Sequence, residues 1–310
     1  MKYNDDMDCS KCGKKAIYEA RYNGMRYCEN HFAESVESRF KAEIRKQIRA
    51  GKEDRTVAVA LSGGKDSSVL LYLIKKVLGK NKKIKVVAVT VDEGIEGYRN
   101  IELESAREIC QALGVEHRVI SFKSKFGITM DQVVQSDPFT VPCSHCGPMR
   151  RQTMNLLATR AEADYLALGI NLDDYAQSVL MNVIKGDTVR MSRMAPHENQ
   201  HDGLVKRVIP LWKIPEKEVL IYSILQGIKV DRLSCPYAGR AERNEIREII
   251  SGLEEKHPGT AYAIAKFGEE VKKSLASAGE YAHLGNCRIC GTPTTSDICS
   301  VCRNLKQIPA

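Results

Sequence analysis

The chain has 310 residues, 43% hydrophobic and 28% charged, with a net charge of +8 and a pI near 8.8. That length holds one sizeable α/β domain plus small modules. No apolar run approaches the ~20 residues of a membrane span. The N-terminal MKYNDDMDCSKCG also lacks the apolar stretch of a secretion signal. A cytoplasmic protein with no membrane partner is expected.

Residues 9–31 read as a small Cys/His module. Phe32, Val36, Phe40, Ile44 and Ile48 then recur every four residues, which predicts a helix with one buried face. Gly51 ends it near a linker. Residues 39–52 carry six basic side chains against the single acid Glu43. Arg150 and Arg151 adjoin, and residues 185–213 also lean basic. Each patch alone fits a solvated helix face; together they point to an anionic partner such as RNA.

From residue 55 the pattern changes. TVAVAL (56–61), IKVVAVTV (84–91), HRVISF (117–122) and YLALGI (165–170) read as strands. Helical stretches separate them at 66–78, 98–113 and 150–162. This alternation predicts an α/β fold, a doubly wound parallel sheet whose ligands bind at the C-terminal ends of its strands. After residue 213 the chain turns mostly helical, and a second cysteine module occupies 287–302.

The stretch ALSGGKDSSVL (60–70) follows a predicted strand and opens a predicted helix. Gly63 and Gly64 permit tight turning and close backbone approach to a phosphate, and Lys65 adds positive charge at a helix start. The Walker pattern GxxxxGK[ST] is absent. Further on, GINLDDYAQSVLMN (169–182) places Asp173 and Asp174 at a helix start, where carboxylates suit either the helix dipole or Mg²⁺.

Eleven cysteines are many for a reducing compartment, where clustered thiols suggest metal rather than disulfides. Cys9, Cys12, Cys28 and His31 form CxxC and CxxH pairs. Cys287, Cys290, Cys299 and Cys302 form two close pairs. Each quartet can close a tetrahedral zinc site. Cys143 and Cys146 form a third CxxC, with Cys235 far downstream. That trio fits redox chemistry, a zinc site completed by His145, or a cluster. Cys110, in a predicted helix, reads as a small buried apolar residue.

SGGKDS resembles the PP-loop signature of the N-type ATP pyrophosphatases, which cleave ATP between the α and β phosphates and adenylate their substrates. The GxNxDD segment, CxxCGxxRR and the later Cys-Pro follow in an order similar to the tRNA 2-thiouridine synthases of the TtuA and cytosolic wobble-thiolation group. The resemblance runs from Cys9 to Cys302. It implies that Ser62, Gly63, Gly64, Lys65, Asp66 and Ser67 cradle the phosphates of ATP, with Ala60, Leu61, Val91 and Gly169 beside the nucleotide. It implies catalytic roles for Asp66, for Asp174 near the phosphates or Mg²⁺, and for Arg150 as a cationic phosphate contact on a helix starting there. It further implies that Cys143, Cys146 and Cys235 hold a [4Fe–4S] cluster whose fourth iron, free of protein ligands, can hold sulfur. A persulfide on Cys143 or Cys146, resolved by Cys235, is the rival route. Ile170 departs from the family, which usually has His.

The chain is thus expected to divide into an N-terminal zinc module (1–32), a linking helix (33–54), a PP-loop catalytic domain (55–213), a helical extension with Cys235 (214–283) and a C-terminal zinc module (284–310). The implied substrate is tRNA, with the sulfur coming from sulfide or a thiocarboxylated ubiquitin-like carrier, and a homodimer is the family expectation. TVDEGIEGYRN (90–100), FGITMD (126–131) and LMNVIKGD (180–187) resemble the wobble-uridine enzymes more than the T-loop enzymes. Amidation or lysidine formation on the same fold, and a non-catalytic zinc-rich RNA-binding subunit, are the other readings.

Overall fold

The computed structural model describes residues 7–48, 53–137, 139, 141–197, 202–229, 233–240, 242–277 and 284–306. Gly51, where the linker is expected, lies outside them. A short hairpin, β1 (Tyr18–Ala20) and β2 (Met25–Tyr27), leads into helix α1 (Glu29–Gln47). Phe32, Val36, Phe40, Ile44 and Ile48 are all buried, as their spacing predicts. At about 1.5–3 kcal/mol for each large apolar side chain, this one stripe is a major stabilising contribution. It packs in the same core as Val57, Val59, Leu70 and Val219, so the N-terminal module shares its interior with the sheet. The buried Glu218 carboxylate pairs with Arg39 and accepts the Tyr22 hydroxyl at 2.8 Å, which pins the module to a later helix.

The central sheet follows: β3 (Arg55–Ala60), α2 (Lys65–Leu78), β4 (Ile84–Asp92), α3 (Arg99–Leu113), β5 (Glu116–Ser121), the short helices α4 (Phe122–Phe126) and α5 (Met130–Ser136), α6 (Pro142–Arg160), β6 (Tyr165–Ala167), α7 (Leu172–Ile184), α8 (Thr188–Ser192) and β7 (Lys206–Val208). All sheet pairs are parallel, in the order β5-β4-β3-β6-β7. Val57, Ala58 and Val59 of the central strand are fully buried because helices cover both faces. The chain winds outward from β3 to β5, then returns to add β6 on β3's other side. The loops after β3 and β6 therefore flank the switch crevice, where doubly wound sheets bind ligands.

Two expectations need correction, and one strand was missed. The strand read as 165–170 ends at Ala167, because the chain then leaves the sheet and lays Gly169 against the loop after β3. Strand β7 was not foreseen: three residues, Lys-Arg-Val, carry too little pattern to read. The helix expected from residue 150 begins at Pro142, whose ring suits a first turn, so Cys143 and Cys146 are helical residues. Pro148 inside α6 cannot donate a hydrogen bond to the Ser144 carbonyl. The Asn304 amide donates to that carbonyl instead, at 3.2 Å.

Helix α9 (Glu216–Leu225) packs on α2 and α1, while α10 (Arg243–Lys256) and α11 (Thr260–Ser277) pack beside α7, with Tyr175, Trp212, Ile246 and Ala265 in one cluster. A hairpin, β8 (Gly285–Asn286) and β9 (Pro293–Thr294), and helix α12 (Ser300–Lys306) complete the chain. This C-terminal module lies on α6: Cys287, Cys299 and Val301 share a core with Cys146, Met149 and Leu157. Among the described residues, no helix is long and apolar enough to cross a membrane.

Candidate functional site

The loop after β3 is held by its own side chains. Ser67 Oγ accepts the Ser62 N–H at 3.1 Å and donates to the Gly64 carbonyl at 2.9 Å, while Ser62 Oγ accepts the Gly64 N–H at 3.2 Å. Gly63 has φ +98°, and a Cβ there would lie 2.0 Å from the Glu102 carbonyl oxygen. Helix α2 starts without a side-chain cap, so its first N–H groups are left for an anion. Leu61 is buried, Ala60 is half-buried and Val91 is buried, at the C-terminal ends of β3 and β4.

The loop after β6 closes on this one. A Cβ on Gly169 would stand 3.0 Å from the Asp66 carbonyl carbon and the Ser67 nitrogen, so the position leaves little room for a side chain. Asn171 caps α7 through the Asp174 N–H at 2.9 Å and donates to Asp66 Oδ1 at 3.0 Å. Lys65 Nζ lies 2.8 Å from Asp66 and 3.2 Å from Glu216. Asp174 faces Arg243 at 3.5 Å. Asp66 and Glu216 thus lie near enough to Asp174 to act on its charge, although the three carboxylates do not come within 4.8 Å as a group; oxygens of this type are what Mg²⁺ prefers. Asn171, Glu216 and Arg243 were missed in the sequence. Asn171 stands within the GxNxDD motif and could have been read as the cap of α7.

Burial pushes the Asp174 carboxyl up to about 6; Arg243 opposes the shift, and Asp66 and Glu216 add to it. A metal competes with that proton. The affinity for Mg²⁺·ATP is therefore expected to fall as pH drops through about 6, approaching tenfold per unit, in a calorimetric titration against pH. In D174N this pH dependence should disappear along with most of the affinity. Without metal the sign reverses. Asp174 holds its proton more tightly folded than at its ordinary value of 3.8, so this group's contribution to stability is lost as pH rises from about 4 to about 6.

The mid-chain thiols gather at the start of α6. Cys143 is exposed, Cys146 buried and Cys235 half-buried, and Cys235 shares the apolar cluster of Cys146. Cys235 feels the charge of Cys143, and Cys146 that of Cys235. Burial raises both the Cys146 and Cys235 thiols, with Arg150 opposing. Arg150 does not reach toward the phosphate loop. Its Nε pairs with the buried Glu93 at 2.8 Å and its Nη2 donates to Cys146 Sγ at 3.2 Å. His145 is buried on the same helix and lies 3.7 Å from Asp137.

The terminal quartets differ in scale from this trio. Cys9, Cys12, Cys28 and His31 bring their ligand atoms within 4.8 Å of one another, as do Cys287, Cys290, Cys299 and Cys302; among the described residues, only these two groups do so. Cys12–Cys28 and Cys290–Cys299 are each 3.7 Å apart, and Cys9–His31 is 3.3 Å. A tetrahedron with Zn–S bonds of ~2.3 Å has an S–S edge of ~3.8 Å, so both quartets fit zinc. Backbone N–H groups hold Cys287 well below the usual thiol range, as a metal ligand requires. The mid-chain trio is not such a group and so does not suit a single tetrahedral ion; three thiols set wider apart suit a larger cluster.

An SGGKDS loop at the switch point of a parallel sheet marks a PP-loop protein, and residues 33–253 match the PP-loop domain family. Residues 8–33 match the N-terminal LIM domain of 2-thiouridine synthetase TtuA. The chain belongs to the PP-loop family of tRNA 2-thiolation proteins that includes TtuA and NcsA. It is 35% identical to the tRNA 2-thiolation protein NcsA of Haloferax volcanii, over 98% of this chain and 100% of that one. It is 32% identical to the tRNA-5-methyluridine(54) 2-sulfurtransferase of Pyrococcus horikoshii, over 96% of this chain and 93% of that one. The solved U34-tRNA thiolase NcsA from Methanococcus maripaludis, with its [4Fe-4S] cluster, superposes with a TM-score of 0.84 at 35% identity, covering 97% of this chain and 96% of that one.

Proposed function

We propose that this chain is an ATP-dependent tRNA-uridine 2-sulfurtransferase acting on the anticodon wobble uridine. The observation that carries this reading is a phosphate loop joined to a cysteine trio by the Arg99–Glu93–Arg150 line of charge. The relatives named above act on tRNA, and the NcsA structure holds its cluster in the same fold.

In this reading the α2 N-terminus and Lys65 hold the phosphates of ATP, and Asp66 and Asp174 hold Mg²⁺. The uridine O2 attacks the α-phosphate and pyrophosphate leaves. Hydrosulfide then adds at C2, AMP departs with the original oxygen, and the hydrosulfide proton passes to the base nitrogen, with no net oxidation. Adenylation matters because the carbonyl oxygen is a poor leaving group and AMP a good one. A [4Fe–4S] cluster on Cys143, Cys146 and Cys235 supplies a site where sulfur is held for delivery. Burial raises two of these thiols, which leaves little free thiolate for a persulfide carrier. The zinc modules brace the ends. The five-part division of the chain, a homodimer, a cytoplasmic setting and a sulfide or thiocarboxylate donor complete the proposal.

The tRNA backbone is assigned to an arginine group next to α6. Arg151 and Arg207 have no acid within ion-pair distance among the described residues. Desolvation lowers both, Arg207 to about 10; Arg207 also feels the charge of Arg151, and Arg151 that of Arg190, Arg150 and Arg193. Unpaired guanidiniums that repel one another suit phosphates. R151A and R207A should weaken tRNA binding, with the log–log salt slope shallower by about 1 per lost contact and ATP binding unchanged.

Mapping 2-thiouridine by mass spectrometry in tRNA treated with reconstituted protein, ATP, Mg²⁺ and sulfide tests the substrate. Sulfur at the wobble position is expected. Sulfur confined to the T-loop would keep the chemistry and replace the substrate.

A further inference from the structure

A line of charge, buried from Arg99 to Glu93 and exposed at Arg150, joins the phosphate loop to the cysteine helix. Arg99 is 3% exposed at the start of α3. Its Nη1 donates to the Ser62 carbonyl at 2.8 Å and its Nη2 to the Val91 carbonyl at 2.5 Å, one group at the end of each strand flanking the loop. Nη1 also meets Glu102 at 2.8 Å. Arg99 Nε lies 2.9 Å from Glu93 Oε2, an ion pair without hydrogen-bond alignment. The other Glu93 oxygen takes Arg150 Nε at 2.8 Å, and Arg150 Nη2 reaches Cys146 Sγ at 3.2 Å. The line therefore runs from Ser62 through Arg99, Glu93 and Arg150 to Cys146.

Its charges balance: two guanidiniums face two carboxylates, and Glu93 and Glu102 are 4% and 5% exposed. A buried carboxylate shared by two arginines is held in one place, because leaving either side would strand a charge. Local sequence builds the grip. Gly94 and Gly97 have φ of +67° and +72°, which turns the chain after β4 so that Glu93 and Arg99 meet. Met130 N–H donates to the Glu93 carbonyl at 2.8 Å and fixes its backbone.

We propose that Glu93 is a positioning residue: it holds Arg99 and Arg150 on its two oxygens and so fixes the cysteine helix, and the Arg150–Cys146 contact, relative to the phosphate loop. Activation on the loop and sulfur delivery at the helix then occur across a set gap. The inference rests on Cys146 as a cluster ligand.

The test is a double-mutant cycle of E93Q and R150Q in the iron-loaded protein, with three readouts: iron release to a chelator, kcat for thiolation, and KM for ATP. E93Q and R150Q should each speed iron release and lower kcat by about 10–100-fold, the range for groups that orient metal ligands. The double variant should match R150Q within about twofold, since Glu93 acts through Arg150. KM for ATP should hold, because Arg99 keeps Glu102 and both carbonyls, and E93D should recover part of the loss. Wild-type behaviour of E93Q, or losses that multiply in the double variant, would overturn the proposal. If E93Q does not fold, E93D decides: aspartate falls a methylene short of spanning both guanidiniums, so a folded E93D with wild-type iron release refutes the idea. A wild-type protein that takes up no iron cluster refutes the underlying reading instead, and shows it before any variant is made.

Discussion

Cys146→Ala is expected to lose its iron and all detectable thiolation while binding ATP as the parent does. Cys146 is the most enclosed of the trio, sharing a core with Met149, Leu157 and the C-terminal module. The phosphate loop is built from other residues, so nucleotide affinity should survive the change. Cys143→Ala and Cys235→Ala should behave alike, because three ligands leave no spare to hold the cluster. Cys110→Ala is the control. Its thiol is buried in α3 and pushed up to about 12 by burial alone, which makes it inert. That variant should keep iron and activity, with a modest loss of core packing. Iron content, visible absorption and an ATP titration on each variant check the set.

Gly63→Ala is expected to destroy ATP binding and to destabilise the fold. Two costs add. A residue with a side chain is strained at φ +98°, and the new Cβ would sit 2.0 Å from the Glu102 carbonyl oxygen and 2.8 Å from its carbonyl carbon, both backbone atoms. Strain of this kind costs about 1–3 kcal/mol and overpacking a similar amount, so a loss of roughly 2–5 kcal/mol is expected in chemical denaturation. Relief requires Glu102 to move. Glu102 pairs with Arg99, which holds Ser62, so the loop would open from within. Gly64→Ala meets only the Ser62 hydroxyl at 3.4 Å and the Glu102 carboxylate at 3.5 Å and should be far milder.

The sequence disclosed the frame of the molecule wherever a residue type answers to one physical demand. The four-residue apolar recurrence from Phe32 to Ile48 could only be a buried helix stripe, and it is one. The β-branched runs at 56–61 and 84–91 needed cover on both faces and lie at the centre of the sheet. The CxxC and CxxH pairs at the two ends assemble at zinc distances. What stayed hidden depends on the path of the chain in space. Edge strand Lys206–Val208 is too short to carry a pattern. The start of α6 was placed eight residues late: Pro148 lies inside the helix, and the Asn304 amide that offsets it lies 156 positions beyond it. Arg150 was expected on phosphate and rests on Glu93 and Cys146, because charge complementarity across a fold cannot be read from spacing. Glu93 and Arg99 stood in plain view within DEGIEGYR, yet that stretch spoke only to substrate choice until two positive-φ glycines folded it back on itself.

The most direct test is anaerobic. The same preparation is assayed for 2-thiouridine formation with ATP, Mg²⁺ and sulfide, once stripped of iron and once reconstituted with iron and sulfide. Thiolation that is absent in the stripped protein and rises in proportion to bound cluster is the predicted result. Equal thiolation in both, from cysteines alone, would contradict the account.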